Sequence, residues 1–414
     1  MKFDTIIIGG GLSALTCGIK LAKAGRDCLI IASGESALSF NSGSFGLLSR
    51  LPDGTAVEEP LKAIEQLPSS HPYVKIGIDN TRRYAASAKE FFADCGISLR
   101  GTERNLWRYT SSGKMKRCWL AMEDTTAFVS REDKVGDKAL IVTVKGFQDF
   151  FPGFVAESLE KKGISCRCES IELDELDMLR SNASEMRATN IALTMEKDKI
   201  RKSFVKEISR IRQDEDMLIL PQIFGYEDTR ALEDIRKAVG MPVTFISTLM
   251  PSVPGIRTQK MLKKAFEAAG GTLMMGDCVT GAVIEGGKIK SVLTSNLGSY
   301  GLEADNFVLA TGSFFGKGLA SDFTKIYEPV LGLDVDASEK RDEWYSSSFF
   351  DRQAFIGFGV KTDNDLHPSR DGEAISNLYA AGSVLSGAES LYEGSGAGVA
   401  IITAMYAADK ILEG

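Results

Sequence analysis

The chain begins with an apolar, β-branched run, Thr5-Ile6-Ile7-Ile8, which passes into Gly9-Gly10-Gly11. The segment Leu12 to Ala22 follows, with apolar positions recurring at helical spacing. After Gly25 comes a second apolar run, Cys28-Leu29-Ile30-Ile31. The pattern predicts strand, glycine turn, helix and strand within about 30 residues, the context that gives a glycine-rich turn its meaning. Gly9 lets the chain turn sharply, Gly11 lets the backbone approach a pyrophosphate, and Ala14 with Gly18 lets the helix lie close to the sheet. A phosphate then sits at the helix N-terminus, where free N–H groups and the macrodipole favour it. Gly9, Gly10, Gly11, Leu12, Ser13 and Ala14 are therefore expected to bind a dinucleotide. The ribose-binding acid expected near residue 32 is missing: the chain has Ala32, then Ser33, Gly34 and Glu35, of which Glu35 is the nearest substitute.

The pattern resumes far along the chain. Arg257 to Ala269 has helical periodicity, and Gly271 to Val279 reads as a strand and loop. Val283-Ile284 and Ser291-Val292-Leu293 flank a Glu285-Gly286-Gly287-Lys288 turn, which predicts a hairpin. Asp305 to Gly312 is an apolar strand ending in Ala310-Thr311-Gly312. Asn377 to Gly382 is another strand, and Gly394-Ser395-Gly396-Ala397-Gly398 opens an apolar helix running to about Leu412. A return to the first sheet from so far away is the habit of two-dinucleotide-domain flavoproteins. The expected fold is α/β: a discontinuous Rossmann-like flavin-binding domain, residues 1–50 plus 251–414, with an inserted α/β cap domain, residues 51–250. Val279, Ala310, Thr311, Gly312, Gly382, Ser383, Gly396 and Gly398 join the expected cofactor contacts, Ser383 standing where an acid is usual. The alternative for the last helix is that its glycines serve close packing only. Ser42, Gly43 and Ser44, in a small-residue loop, are expected at the flavin's reactive edge, or else form a plain turn.

In the middle of the chain, residues 147–162 and 229–239 read as helices, and 217–220 and 243–246 as strands. Arg180, Asn182, Glu185, Arg187 and Asn190 are spaced to share a helix face. Arg187 or Arg257 could grip an anionic substrate bidentately, whereas a solvated face laced with ion pairs explains the cluster equally. His71-Pro72 and His367-Pro368 read as turns carrying surface histidines. No catalytic base declares itself.

Composition narrows the classes. The 414 residues carry 49 Lys+Arg and 56 Asp+Glu, for a net charge of −7, with no basic run to track phosphates; nucleic acid is an unlikely partner. Seven cysteines without a CxxC read as reduced thiols. They do not supply the clustered thiolates of an iron–sulfur centre, and no metal site is expected. Neither an export signal nor about 18 uninterrupted apolar residues can be read from the chain, so membrane contact is expected only through a partner.

Longer strings carry a more specific likeness. Phe3-Asp4-Thr5 into the triple glycine, Ser36-Ala37-Leu38, Leu51-Pro52-Asp53-Gly54, Glu175-Leu176-Asp177, Arg180 to Ala192, Pro251-Ser252-Val253, Gly255-Ile256-Arg257, Ala310 to Phe315, Pro329 to Val335 and Ala381 to Leu385 resemble the B subunits of anaerobic, quinone-linked glycerol-3-phosphate dehydrogenases from end to end. The resemblance implies one member of a three-chain enzyme oxidising sn-glycerol 3-phosphate to dihydroxyacetone phosphate, with electrons passed to quinone. It implies an FAD-bearing catalytic A subunit and an iron–sulfur, membrane-anchoring C subunit as partners. It also implies a cytoplasmic chain, peripheral at the inner face of the membrane. The cofactor is expected to be FMN by the resemblance and FAD by the dinucleotide turn, acting as an electron relay. Two other readings stand beside it: a free-standing flavin oxidoreductase of the fumarate reductase or amino-acid oxidase type, and a non-catalytic scaffold of the same fold.

Overall fold

The computed structural model describes residues 2–101 and 103–414. The chain forms two compact units. The first takes the chain to Ala37, Gly46–Gly96 and Met261–Gly414, and the second takes Leu38–Phe45 and Ile97–Lys260. Against the expected boundaries at 50/51 and 250/251, residues 51–96 fall in the first unit and residues 38–45 and 251–260 in the second. The cause for residues 51–96 is the helix Ile78–Asp94, which buries Tyr84, Ala88 and Phe92. Tyr84 donates to Asp409 at 2.8 Å and sets its ring edge-on to Tyr406, both on the last helix of the chain.

In the first unit, β1 (Lys2–Ile8), α1 (Leu12–Lys23) and β2 (Cys28–Ala32) form the predicted opening. The sheet is completed by β3 (Thr272–Met275), the hairpin β4 (Val279–Glu285) and β5 (Lys288–Thr294), β6 (Leu302–Leu309) and β7 (Leu378–Ala380). The order is β3-β2-β1-β6-β5-β4, with β7 also on β6. β6 serves three neighbours because its start pairs antiparallel with β5, while Phe307–Leu309 pair with both β1 and β7 in parallel. β2, β7 and the carboxyl-terminal halves of β1 and β6 are buried on both faces, so they read as unbroken apolar runs. Gly286 and Gly287 turn the hairpin at φ +58° and +71°, the left-handed pair a two-residue turn demands. The last helix, α2 (Gly396–Glu413), packs on α1.

The second unit has a four-stranded, all-parallel sheet ordered Ser165–Ile171, Lys138–Val144, Met217–Pro221, Val243–Ile246. Helices Pro152–Glu160, Asp198–Ile211 and Arg230–Val239 fill its crossovers and bury Val155, Phe204 and Ile235 in one core with the strands. The predicted strands at 217–220 and 243–246 and the helix at 229–239 are present within a residue; the helix expected over 147–162 is confined to Pro152–Glu160.

Candidate cofactor site

The carboxyl ends of β2, β1, β6 and β7 lie side by side. Ile8 pairs with Ile31 on one side and Leu309 on the other, and Leu309 pairs with Ala380. Each strand runs into one of the predicted turns, Ser33–Glu35, Gly9–Gly11, Ala310–Gly312 and Gly382–Ser383. Open α/β sheets bind ligands at such an edge, beyond the strand ends.

The three glycines after β1 are small for different reasons. Gly9 has φ +118°, and a Cβ there would lie 2.3 Å from the Ala310 carbonyl oxygen; the backbone itself demands glycine. A Cβ at Gly10 would meet the Ala32 Cβ at 2.6 Å. Gly11 has an ordinary φ of −86°, and the nearest neighbour of an added Cβ is the Ser36 Cβ at 3.9 Å. The protein's own packing thus does not require glycine at 11, yet the space is open directly before α1. That helix has no side-chain cap and no acid in its first turn, so its leading N–H groups are left for an anion. Across the edge, the Thr311 hydroxyl is buried without a hydrogen-bond partner, and a Cβ at Gly312 would stand 3.6 Å from the Ser383 Oγ. An open cradle and an uncapped helix start fit a cofactor carrying a diphosphate.

Other residues of the expected set are placed by packing. A Cβ at Gly382 would fall 2.0 Å from the Ser13 Oγ, and the Gly382 N–H is held by Thr403. Ala14 is fully buried, and a Cβ at Gly18 would meet Phe266 at 2.9 Å, the close helix approach the glycine predicts. Leu12 opens α1 half-buried. Glu35 is solvent-facing and ion-paired with Lys263 at 3.3 Å. Val279 is buried at the start of β4, beyond the loop whose Gly276 N–H bonds the Ala32 carbonyl. In that loop, burial opposes the Asp277 charge. Hydrogen bonds from Thr294, Ser295, Asn296 and Cys278 outweigh it and hold the carboxyl below the usual range.

At α2 the packing explanation covers Gly398. A Cβ there would meet the Tyr73 Oη at 2.3 Å, and its N–H donates to the Gly46 carbonyl at 2.8 Å. Gly396 is looser, with the Ser390 Cβ 3.4 Å from an added Cβ.

Ser42, Gly43 and Ser44 belong to the second unit, as a turn built on Asn41. The Asn41 carbonyl Oδ1 accepts from the N–H of Gly43 at 2.8 Å and of Ser44 at 3.2 Å. Gly43 has φ +80°, and a Cβ there would collide with Thr125. The predicted polar helix face does not form. Arg180 ends the helix Asp177–Arg180, Glu185 ends a 3-10 turn, and Arg187 only precedes the helix Ala188–Met195. The Asn182 side chain accepts from Ser184 N–H and breaks the run.

Neither arginine is presented as an anion clamp. Arg187 is ion-paired with the buried Asp149 at 2.9 Å, which also accepts the Ala188 N–H at 3.0 Å. Arg257 is fully buried, bonded to Asp124 and to the Gly225 carbonyl.

The expected surface position fails for His71. His71 is fully buried, its Nδ1 accepting the Tyr73 N–H at 3.1 Å and its Nε2 lying 3.3 Å from Glu393 Oε2. Ser395 donates to the same carboxylate oxygen at 2.8 Å. Burial works against the Glu393 charge, but the His71 and Ser395 hydrogen bonds outweigh it and lower its pKa. His367 is half-buried, with Nδ1 2.8 Å from the Leu378 carbonyl and its ring on Tyr379. Glu393 also lines a cavity of about 520 Å³ with Ser70, Asp336, Arg352 and Glu389. Nothing in the local sequence joins His71 to Glu393.

The FAD binding domain family matches residues 4–399, so the class is that of FAD-binding flavoproteins, and FAD is the flavin of the matched family. Among curated relatives, the B subunit of anaerobic glycerol-3-phosphate dehydrogenase from Yersinia enterocolitica is 39% identical over 100% of this chain and 98% of its own length. That of Pectobacterium carotovorum is 38% identical over 100% of this chain and 99% of its own. Among solved structures, 3-ketosteroid delta1-dehydrogenase from Sterolibacterium denitrificans is similar at 10% identity and a TM-score of 0.47, over 100% of this chain and 99% of that one. The chain belongs to the family of anaerobic glycerol-3-phosphate dehydrogenase B subunits, a name that marks its members as parts of a larger enzyme.

Proposed function

We propose that this chain is the FAD-bearing B subunit of an anaerobic glycerol-3-phosphate dehydrogenase, taking part in oxidation of sn-glycerol 3-phosphate to dihydroxyacetone phosphate with electrons passed to quinone. The observation that carries the reading is the open space at Gly11 before the uncapped α1, in a chain matched from end to end by its B-subunit relatives. Bound flavin supplies the exchange between two-electron and one-electron redox steps. Gly11 and the leading N–H groups of α1 hold its diphosphate. We assign Gly312 and Ser383, at the ends of the neighbouring strands, to the same cofactor, and Glu35 with Ser33 and Gly34 to its ribose side.

Within the complex, the role we assign is relay rather than alcohol oxidation. Arg257 is consumed inside the second unit and Arg187 is tied to Asp149, so neither is available to grip a phosphate ester. The cavity beside Glu393 has three carboxylates, Asp336, Glu389 and Glu393, against Arg352 alone, whose guanidinium is already bound to Glu389. That is the wrong sign for a phosphate dianion. The reading places substrate on a catalytic A subunit and iron–sulfur clusters on a membrane-anchoring C subunit, holding this chain at the inner face of the cytoplasmic membrane. Among the described residues, no helix is long and apolar enough to cross a membrane.

The test is anaerobic mixing of glycerol 3-phosphate with the purified chain and, separately, with the assembled complex. The flavin of the isolated chain should stay oxidised while that of the complex bleaches. Oxidation of glycerol 3-phosphate by the chain alone, at the rate of the complex, overturns the relay assignment.

A further inference from the structure

In the first unit, the segment from Trp344 to Phe355 forms a closed loop. Its ends are joined by the Phe355 N–H donating to the Trp344 carbonyl at 2.9 Å, and Trp344 is itself buried, its indole N–H donating to the Ser338 carbonyl at 2.7 Å. Inside the loop, Gln353 acts as a brace. Its Oε1 accepts the Ser346 N–H at 2.9 Å, and its Nε2 donates to the carbonyls of Ser348 at 2.9 Å and Asp351 at 3.1 Å. The Ser346 hydroxyl donates to Asp351 at 3.0 Å. Arg352 anchors the base through Glu389 and the Pro52 carbonyl.

This bracing holds apolar rings out in solvent. Phe349 is 87% exposed, Phe350 94% and Tyr345 60%, with the two phenylalanines edge to face at 5.3 Å. Such rings in an ordered loop keep the penalty of apolar exposure without gaining loop entropy, a balance that reverses when a partner covers them. Rigid aromatics presented this way are the usual anchors of an interface. Burying three of them, at roughly 150–250 Å² each, supplies the greater part of the ~800 Å² a stable interface takes from each partner.

The charge around the rings selects the occupant. Residues 336–355 hold five acids, Asp336, Glu339, Asp342, Glu343 and Asp351, against Lys340, Arg341 and Arg352. Two of these bases are paired internally, Lys340 with Glu343 and Arg352 with Glu389. An anionic lipid surface repels such a rim. A second copy meeting it symmetrically would set acid against acid. We propose that the Tyr345–Phe349–Phe350 tip docks into an apolar, basic-rimmed pocket on a different protein subunit of the same complex. The proposal rests on the reading above of this chain as part of a complex and names the surface it uses.

The experiment co-expresses the tagged chain with the other subunits of the complex and compares it with two double variants. Phe349→Ser with Phe350→Ser should weaken co-purification roughly thirtyfold or more, as loss of an interface hot spot does, with flavin content and melting temperature of the isolated chain unchanged. Phe349→Leu with Phe350→Leu, which keeps apolar bulk, should retain most of the assembly. Undiminished assembly of the serine variant overturns the proposal while leaving the reading of the chain as part of a complex intact. Failure of the unmodified chain to assemble overturns both. The isolated chain is also floated with vesicles containing phosphatidylglycerol and sized by light scattering. Vesicle binding or a dimer that disappears in the serine variant overturns the proposal in favour of a lipid surface or a second copy.

Discussion

His71 Nε2 lies 3.3 Å from Glu393 Oε2, 322 residues away in sequence, and neither side chain is more than 3% exposed. Because the Tyr73 N–H occupies Nδ1, the neutral ring carries its proton on Nε2 and donates it to the carboxylate. The pair fixes the residues just before α2 onto the segment 71–75. The same contact surface includes the Tyr73 hydroxyl, which donates to the Leu47 carbonyl at 3.0 Å.

Breaking this pair should be expensive. His71→Ala leaves a buried carboxylate with Ser395 but without its histidine donor, and a loss of about 1.5–3 kcal/mol is expected. Thermal or urea melts of the variant check it, and an unchanged midpoint would contradict the pairing.

The pH dependence follows from the direction of the Glu393 shift. Its folded pKa is lowered below 4.5, so its contribution is fully present above that value and is lost as pH falls through the folded pKa. Glu393→Gln should therefore be less stable than the parent at neutrality, with a shallower decline on acidification. Melts between about pH 3 and 7 read both effects.

Gly9 and Gly11 should separate folding from cofactor binding. Gly9→Val forces a side chain into the Ala310 carbonyl at a left-handed φ and should abolish the folded state. Gly11→Val meets open space, so the chain should fold, melt like the flavin-free parent and lose its flavin. Absorbance per chain after purification decides it; stoichiometric flavin on Gly11→Val would mean the diphosphate lies elsewhere.

The two arginines should differ in the same way. Arg257→Ala strips the partner from buried Asp124, and a loss of about 3–5 kcal/mol is expected. Arg187→Ala takes a half-exposed partner from buried Asp149 but leaves it the Ala188 N–H, and a smaller loss of about 1–3 kcal/mol is expected. Chemical denaturation of both variants is the check, and a stable Arg257→Ala chain would reopen a substrate role.

How legible each feature was depends on how local its cause is. The β1–turn–α1–β2 unit, the Gly286-Gly287 hairpin and the strand at Leu302–Leu309 are written in residues a few positions apart, where glycine conformation and apolar periodicity act directly. Most of the differences are long-range. Residues 51–96 join the first unit because Tyr84 meets Asp409, 325 positions away. Arg257 looks like an anion grip until Asp124, 133 residues upstream, is folded against it. Gly398 has a packing reason in Tyr73 and Leu47 that the glycine run does not reveal. The polar face over 180–190 failed for a local reason, the Asn182 turn, which a helical-wheel count does not weigh.

The most direct test of the account is to purify the chain, denature it and identify the released chromophore by mass. The account predicts one FAD per chain. FMN, or no flavin even after incubation of the folded chain with excess FAD, would contradict it.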